Sequence, residues 1–203
     1  MVALLFVLSA GVVLSAPPKK SVPEEEVRIN MLPWQREPAR VVKLAKEYLD
    51  ALPADKAPAD DSARQNAIAG FARSYLIGFM YPATGTGGSP ADVAGSQAGQ
   101  EYRKANPGKM KETMAEYGYV PVEAEGIWVF GFEQSNFKPR GPHAKEHWWI
   151  SVADATFDRA GANDSKGIAV RLTGYLSPAG LFGHMGSGDH EFYATKITRV
   201  AGK

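Results

Sequence analysis

Histidine is the residue type in this chain that could most readily bind a metal ion or move a proton, and the sequence holds four. His143 and His147 stand four residues apart, a spacing that brings two metal ligands together when the segment is a helix. This pair is preceded by three residues that disfavour a helix, Pro139, Gly141 and Pro142. We therefore expect a loop that leads into a strand. The spacing alone therefore does not predict a metal site.

A second pair, His184 and His190, falls in a glycine-rich segment between two predicted strands. If the loops of the fold meet, these two could share a metal ion with His147 and with the carboxylate of Glu133. That alternative would make the chain a metal-assisted hydrolase. We favour the other interpretation, in which these polar groups hydrogen-bond to turns or face water, and we expect no cofactor and no resident metal.

Residues for nucleophilic or glycosidic catalysis occur only in patterns that arise by chance. No Gly-x-Ser-x-Gly elbow is present, and a trio of Ser187, His184 and Asp189 has a counterpart in most chains of this length. Glu123 and Glu125 are two residues apart, as on a solvated strand face. The absence of cysteine excludes thiol nucleophiles, thiolate metal sites and disulfides. We therefore predict that the chain is not an enzyme.

Charge and loop patterns argue against nucleotides and nucleic acids as ligands. The chain carries 23 Lys and Arg against 22 Asp and Glu, a net charge of +1, so it lacks the basic surface that a nucleic acid requires. The stretch from Gly85 to Pro90 precedes a predicted helix, but no strand comes before it and no Lys-Ser or Lys-Thr pair follows. We expect no nucleic acid partner and interpret this stretch as a connection between helices.

Residues 36–118 carry the apolar spacing of helices and are predicted to form a helical region. We expect helices over about 38–52, 60–81, 89–105 and 109–117, separated by proline and glycine. Asp60 and Ser89 are the predicted N-cap residues of the second and third helices. Gly95 and Gly99 lie four residues apart on the third helix, where we interpret them as small residues that allow a neighbouring helix to pack closely.

From Tyr119 onwards the pattern changes to short runs of alternating polarity, so residues 119–203 are predicted to form strands. The candidate strands are Val120–Glu123, Gly126–Glu133, His147–Ala153, Ile168–Leu176 and Glu191–Val200. Alternation in the last strand predicts one face made of Phe192, Ala194, Lys196 and Thr198. Five short strands suit a small closed or partly open barrel.

The first 35 residues are predicted to lie apart from the folded body. Residues 1–16 are apolar and uncharged, too short for a membrane-spanning helix of about 20 residues, and they end in small residues. We interpret them as a secretory signal peptide, with an uncleaved N-terminal membrane anchor as the alternative. Residues 17–35 form a Pro-rich arm. The protein is therefore expected to be exported, either periplasmic or extracellular, or tethered to a membrane by its N-terminus.

Three motifs stand together in residues 119–203. One runs GIWVFGFEQSNFKP from Gly126 to Pro139, another is Trp148-Trp149, and the third runs LTGYLSPAGLFGHMG from Leu172 to Gly186. Together they resemble a C-terminal module of exported bacterial proteins of unknown function. The resemblance implies a small five-stranded, OB-like β-barrel and an exported bacterial setting, and it implies no reaction. The predicted fold class is therefore α+β, with an N-terminal helical region of about four helices followed by this OB-like barrel domain.

Two adjacent tryptophans supply the candidate binding surface. Trp148 and Trp149 face opposite sides of a strand, so one can enter the core. The other is exposed, covered by the helical region, or part of a binding face. The residues predicted to contact a ligand are Trp149, Phe137, Tyr175, His184 and His190. The predicted function is a non-enzymatic binding or structural module of the bacterial cell envelope or periplasm, and the expected partner is a protein or carbohydrate of the envelope.

Overall fold

The computed structural model describes residues 36–83, 87–131, 134–152 and 167–200. Four α-helices are followed by five strands that close a barrel, which confirms the predicted α+β class and its OB-like architecture. The helices are α1 (Ala39–Asp50), α2 (Asp61–Met80), α3 (Pro90–Ala105) and α4 (Met110–Glu116). The strands are β1 (Val120–Gly131), β2 (Gln134–Pro139), β3 (Trp148–Val152), β4 (Ile168–Leu176) and β5 (His190–Arg199). The predicted signal peptide and arm lie outside the described residues.

The second and third helices begin at the predicted caps. The Asp60 carboxylate accepts a hydrogen bond from the Ala63 amide at 2.7 Å, and Ser89 and Asp92 form a reciprocal capping box. Burial alone would raise the pKa of the Asp92 carboxyl, but hydrogen bonds from Ser89 and Ser74 outweigh burial and hold that pKa below its ordinary value. Within the described ranges, no helix is both long and apolar enough to cross a membrane.

Helices α2 and α3 pack against each other through glycine. A side chain at Gly95 would collide with the Phe71 carbonyl oxygen, and a side chain at Gly99 would collide with the Tyr75 carbonyl oxygen. The two helix backbones therefore approach more closely than any larger residue would permit. This geometry confirms the interpretation of the two glycines as close-packing residues.

The strands follow the order β1-β2-β3-β5-β4 around the barrel, with β4 returning to β1. β3 and β5 run parallel, and the other neighbouring strands run antiparallel. Fully buried aromatic side chains fill the interior, namely Trp128, Phe137, Trp148 and Phe192. The indole of Trp148 stacks on the Phe192 ring with centroids 5.4 Å apart. The barrel interior is therefore a packed core rather than a cavity.

The bounds of the first two strands differ from the prediction. The predicted strand Val120–Glu123 and residues 126–131 of the next one belong to a single strand, β1, while residues 132 and 133 lie outside the described ranges. The segment that follows forms β2, which alternation does not predict. β1 runs on because its first part pairs with β4 and its last part pairs with β2. β2 contains Asn136 and Pro139, whose strand propensity is low, so the pairing with β1 overrides local preference.

A β-bulge changes the inward face of β5. Thr195 is an extra residue without a partner on β4, because β4 pairs with Ala194 and then with Lys196. Beyond this bulge Ile197 is buried and Lys196 is exposed. The predicted alternation, which put Lys196 on the same face as Ala194, is therefore wrong beyond the bulge.

The helical region packs on the outer face of β4 and β5. Tyr193 belongs to the hydrophobic core of the helices, and its hydroxyl donates to the Met80 carbonyl oxygen at 2.9 Å. Tyr175 on β4 packs against the same core. A second hydrophobic core fills the barrel. The two halves therefore meet along an interface while each keeps a core of its own.

Candidate binding surface

The two adjacent tryptophans face opposite sides of β3, as predicted. Trp148 is fully buried in the barrel, whereas Trp149 points outward and is half-buried. The glycine-rich turn between β4 and β5 lies on the outward indole, where a side chain at Gly183 would overlap the ring. A Cβ at Gly188 would lie 3.2 Å from the Trp149 Cβ. The turn covers part of Trp149, and glycine at these two positions makes that close approach possible.

The same turn holds an apolar side chain in solvent. Its base is bridged by Phe182 and Gly188, and Gly183, Met185 and Gly186 have positive φ angles of 73°, 54° and 68°. Met185 is 90 % exposed. A non-glycine residue in this left-handed region costs about 1–3 kcal/mol, and the surrounding structure must impose it. The left-handed backbone of Met185 thus lowers the stability of the protein, and the exposed side chain gains no burial that would offset this cost.

Trp149 also lines an open groove of about 300 Å³. The lining comes from the end of β1 and from β2 and β3, and includes Phe130, Gln134, Ser135, Trp149, Ile150 and Val152. None of the described lining residues is charged, so apolar contact and hydrogen bonding select what can bind there.

The groove lies at the point where the backbone pairing between β2 and β3 ends. Their ladder has two residue pairs, and at the next position the Ser135 hydroxyl donates to the Ile150 carbonyl oxygen at 2.6 Å. The same hydroxyl oxygen accepts the Trp128 ring N–H at 3.2 Å. A side-chain bridge therefore takes the place of a backbone pair, and the barrel wall opens beside it.

Of the five predicted contact residues, Trp149 lines this groove and the other four do not. Phe137 is fully buried in the barrel core, and Tyr175 packs against the helices. The His190 side chain is 16 % exposed, and its Nδ1 lies 2.8 Å from the Ser177 carbonyl oxygen. His184 is exposed and follows Gly183 in the turn. The structure thus places Trp149 and His184 at the turn and assigns the other three to packing.

The residues of the alternative metal site fall into separate contacts. Nδ1 of His147 lies 3.9 Å from an Asp189 carboxylate oxygen, and Nε2 of His190 lies 3.8 Å from a Glu146 carboxylate oxygen. Glu133 lies outside the described residues. Among residues 36–83, 87–131, 134–152 and 167–200, no three histidine, aspartate or glutamate side chains are placed to hold one metal ion. The described geometry therefore lends no support to the hydrolase alternative.

Glu146 anchors the loop that leads into β3, a role that no sequence pattern signals. Its carboxylate accepts a hydrogen bond from the Trp148 ring N–H at 2.7 Å and lies 3.0 Å from His143 Nδ1. Burial alone would raise the pKa of the Glu146 carboxyl, but the contacts with His143 and Trp148 outweigh it and lower that pKa. The carboxylate thereby satisfies the polar atom of a core tryptophan.

Glu191 is a buried carboxylate at the junction of the helical region and the barrel, with a relative exposure of 4 %. Its oxygens accept hydrogen bonds from the hydroxyls of Tyr81 at 3.0 Å, Ser151 at 2.5 Å and Tyr119 at 2.7 Å. Burial, and next the charge of Glu191, raise the pKa of both tyrosines well above the ordinary value. Because hydroxyls from the helical region and from the barrel both bind this carboxylate, it anchors the interface between them.

Neither a protein-family model nor a curated protein matches this chain. The geometry of the barrel surface is therefore what supports a function. Two features of that surface stand out from ordinary packing: the uncharged groove beside Trp149 and the exposed Met185 in the turn that lies on it.

Proposed function

We propose that this chain is a non-enzymatic binding module of the bacterial cell envelope, and that its partner there is a protein. The contact surface joins the groove beside Trp149 to the glycine-rich turn that carries Leu181 and Met185. Trp149 touches both parts, since it lines the groove and lies under the turn.

The exposure of Met185 carries this proposal. An apolar side chain that is 90 % exposed contributes little to the stability of the free protein, and its left-handed backbone lowers that stability. Leu181, 49 % exposed, lies in the same turn. Burial of both side chains against a partner would recover the cost, and a half-buried tryptophan beside them is typical of the centre of a protein interface.

The composition of this surface favours a protein over a carbohydrate. Methionine is flexible and adapts to an irregular apolar surface, which suits contact with another protein. Sugar hydroxyls require several convergent polar side chains, whereas the polar side chains described in the groove lining are Gln134 and Ser135. Ser135 already bridges the Trp128 ring to the Ile150 carbonyl oxygen.

Export is part of the proposal and draws its support from the sequence. Residues 1–16 are apolar and uncharged, and a Pro-rich arm follows them. A chain without cysteine is also compatible with an oxidising compartment, where a free thiol would be exposed to oxidation.

Site-specific crosslinking in bacterial cells tests the proposed surface. A photoreactive amino acid replaces Leu181 in the full chain, and a matched one replaces Val93, which is 37 % exposed on α3. We expect one discrete protein adduct from the first position and none from the second. Met185→Gly is expected to abolish that adduct while the circular dichroism spectrum stays unchanged.

The same experiment can overturn the proposal. Equal adducts from positions 181 and 93 would indicate unspecific contact, and an adduct that Met185→Gly leaves intact would remove the turn from the interface. Trp149→Ala removes the indole that the groove and the turn share, so it is expected to weaken the adduct as well.

A further inference from the structure

We infer that the outer face of β1, β4 and β5 holds a second binding site, and that this site takes an oxyanion of the phosphate type. An open depression of about 420 Å³ lies on this face. Its polar lining comprises Glu123, Arg171, Thr173, Lys196, Thr198 and Arg199. The depression shares no lining residue with the groove beside Trp149, so the two sites stand or fall separately.

The strand register arranges the side chains of this face in two rows. One row runs across the three strands as Glu123, Thr173 and Lys196. The next row runs as Glu125, Arg171 and Thr198. Neighbouring strands lie about 4.8 Å apart, so a whole strand separates the first carboxylate from the lysine ammonium. The two opposite charges therefore stand on opposite sides of the depression.

The bulge in β5 determines that the Lys196 side chain lies on the outer face. Strict alternation from Ala194 would turn Lys196 toward the barrel core, whereas the extra Thr195 moves it to the outer face. The lysine thus joins Thr198 on the outer face of β5.

Arg171 lies on β4, in the middle of the face, and is held there by two glutamates. Its Nε donates to a Glu125 carboxylate oxygen at 2.9 Å, its Nη2 donates to the same oxygen, and its Nε lies 3.6 Å from Glu123. Two glutamates therefore compensate this guanidinium. The positive charge that remains for a ligand is the Lys196 ammonium on β5.

Lys196 differs from Arg171 in this respect. It is exposed, and no residue in the described parts of the chain forms an ion pair with it. An anion beside it would receive a charge-assisted hydrogen bond from the ammonium, with the hydroxyls of Thr173 and Thr198 on the same outer face. The β5 side is thus complementary to an anion, while Glu123 repels one from the β1 side.

The number of donors favours a phosphate group over a carboxylate. A bound phosphate monoester offers three acceptor oxygens in a tetrahedral arrangement, and a carboxylate offers two in a plane. Lys196, Thr173 and Thr198 supply donors from two neighbouring strands of this face. A tetrahedral group can accept from all three, and the phosphate can belong either to a soluble compound or to a lipid headgroup.

Titration of the full chain with inorganic phosphate at low ionic strength, followed by NMR, tests this site. We expect Lys196→Gln to weaken binding by about threefold to tenfold, as loss of one exposed charged contact predicts. Lys138→Gln is the matched control, since Lys138 is an exposed lysine on the outer face of β2. We expect it to leave binding unchanged, and we expect Glu123→Gln to tighten binding because it removes the opposing carboxylate.

The arms of the experiment separate the sources of the phosphate. Vesicles that contain phosphatidic acid, whose headgroup is a phosphate monoester, identify a lipid headgroup if they bind with the same dependence on Lys196. Binding of inorganic phosphate alone identifies a soluble ligand. The site is overturned if phosphate and vesicles both fail to bind, or if Lys138→Gln weakens binding as much as Lys196→Gln. A Glu123→Gln variant that binds phosphate less tightly would also contradict the charge pattern.

Discussion

Met185 adopts backbone angles that glycine would adopt without cost, and its side chain gains no burial in return. Gly183, two residues earlier, has a similar φ but a different reason for it, since any side chain there would overlap the Trp149 ring. Packing thus explains the positive φ of Gly183 but not that of Met185. Because packing within the chain does not explain the backbone of Met185, contact with a partner is a physical reason for it.

Met185→Gly is expected to raise the free energy of unfolding by about 1 kcal/mol, because it relieves a left-handed non-glycine residue. Urea denaturation followed by tryptophan fluorescence measures the change. Leu181→Gly is the control: Leu181 lies in the same turn without a positive φ, so that variant is expected to be slightly less stable than the parent. A lower stability for Met185→Gly would contradict the strain assigned to the turn.

Single residues could be predicted from the sequence only where local pattern decides their place. The opposite orientation of Trp148 and Trp149 follows from the pleat of a strand. Which of the two enters the core does not follow, because this depends on the register of β3 against β2 and β5. Burial of Glu191 depends on Tyr81, which lies 110 residues away, so no local pattern could reveal it.

At the scale of elements, the close approach of α2 and α3 is the contact most sensitive to substitution. Gly95 and Gly99 face carbonyl oxygens of α2, and backbone atoms cannot move aside as a flexible side chain can. The helix pair therefore depends on glycine although glycine lowers helix propensity.

Gly99→Ala is expected to lower the free energy of unfolding by about 1–3 kcal/mol, since the added methyl group overpacks the contact with Tyr75. Gly108→Ala is the control, because a Cβ at Gly108 meets no atom within 4 Å. Thermal denaturation compares the two. Similar melting temperatures for both variants would refute the packing role.

The helices could be predicted closely because each carries its own apolar stripe and cap. The N-caps at Asp60 and Ser89 are correct for this reason. Strands depend on partners that lie elsewhere in the chain. This is why the sequence pattern misses β2 and divides the single strand β1 into two. The bulge at Thr195 has the same origin, since only the register with β4 makes that residue extra.

At the scale of the whole molecule, Glu191 connects the two halves. Tyr81 follows α2, Tyr119 precedes β1, and both hydroxyls donate to the carboxylate of a β5 residue. The polar cluster therefore fixes how the helical region sits on the barrel. Burial of one charged group is compensated by hydroxyl donors from three separate segments.

Glu191→Gln is expected to lower the free energy of unfolding by about 1–3 kcal/mol, because an amide N–H₂ would face a hydroxyl donor. The control is Glu101→Gln on the exposed surface of α3, where little change is expected. Chemical denaturation measures both. Equal stability of the two variants would show that the buried carboxylate does not hold the halves together.

The raised pKa of Tyr81 and Tyr119 predicts a loss of stability in alkali. The folded protein holds these protons more tightly than the unfolded chain, whose tyrosine pKa is near 10.0. The stabilisation is therefore complete below this pH and is lost as the pH rises toward the folded pKa. We expect the melting temperature to fall above about pH 10, and to fall less steeply in Tyr119→Phe. Parallel pH profiles for the parent and this variant would contradict the assignment.

The position of β5 between β3 and β4 has a consequence for synthesis of the chain on the ribosome. The two strand pairs that β5 forms, with β3 and with β4, cannot be completed until residues near position 199 have been made. Helices α1 to α4 depend on near neighbours and can form while translation continues. The nascent barrel therefore remains an open sheet with exposed edges for most of its synthesis, and it is during this interval that the chain is most in need of a chaperone.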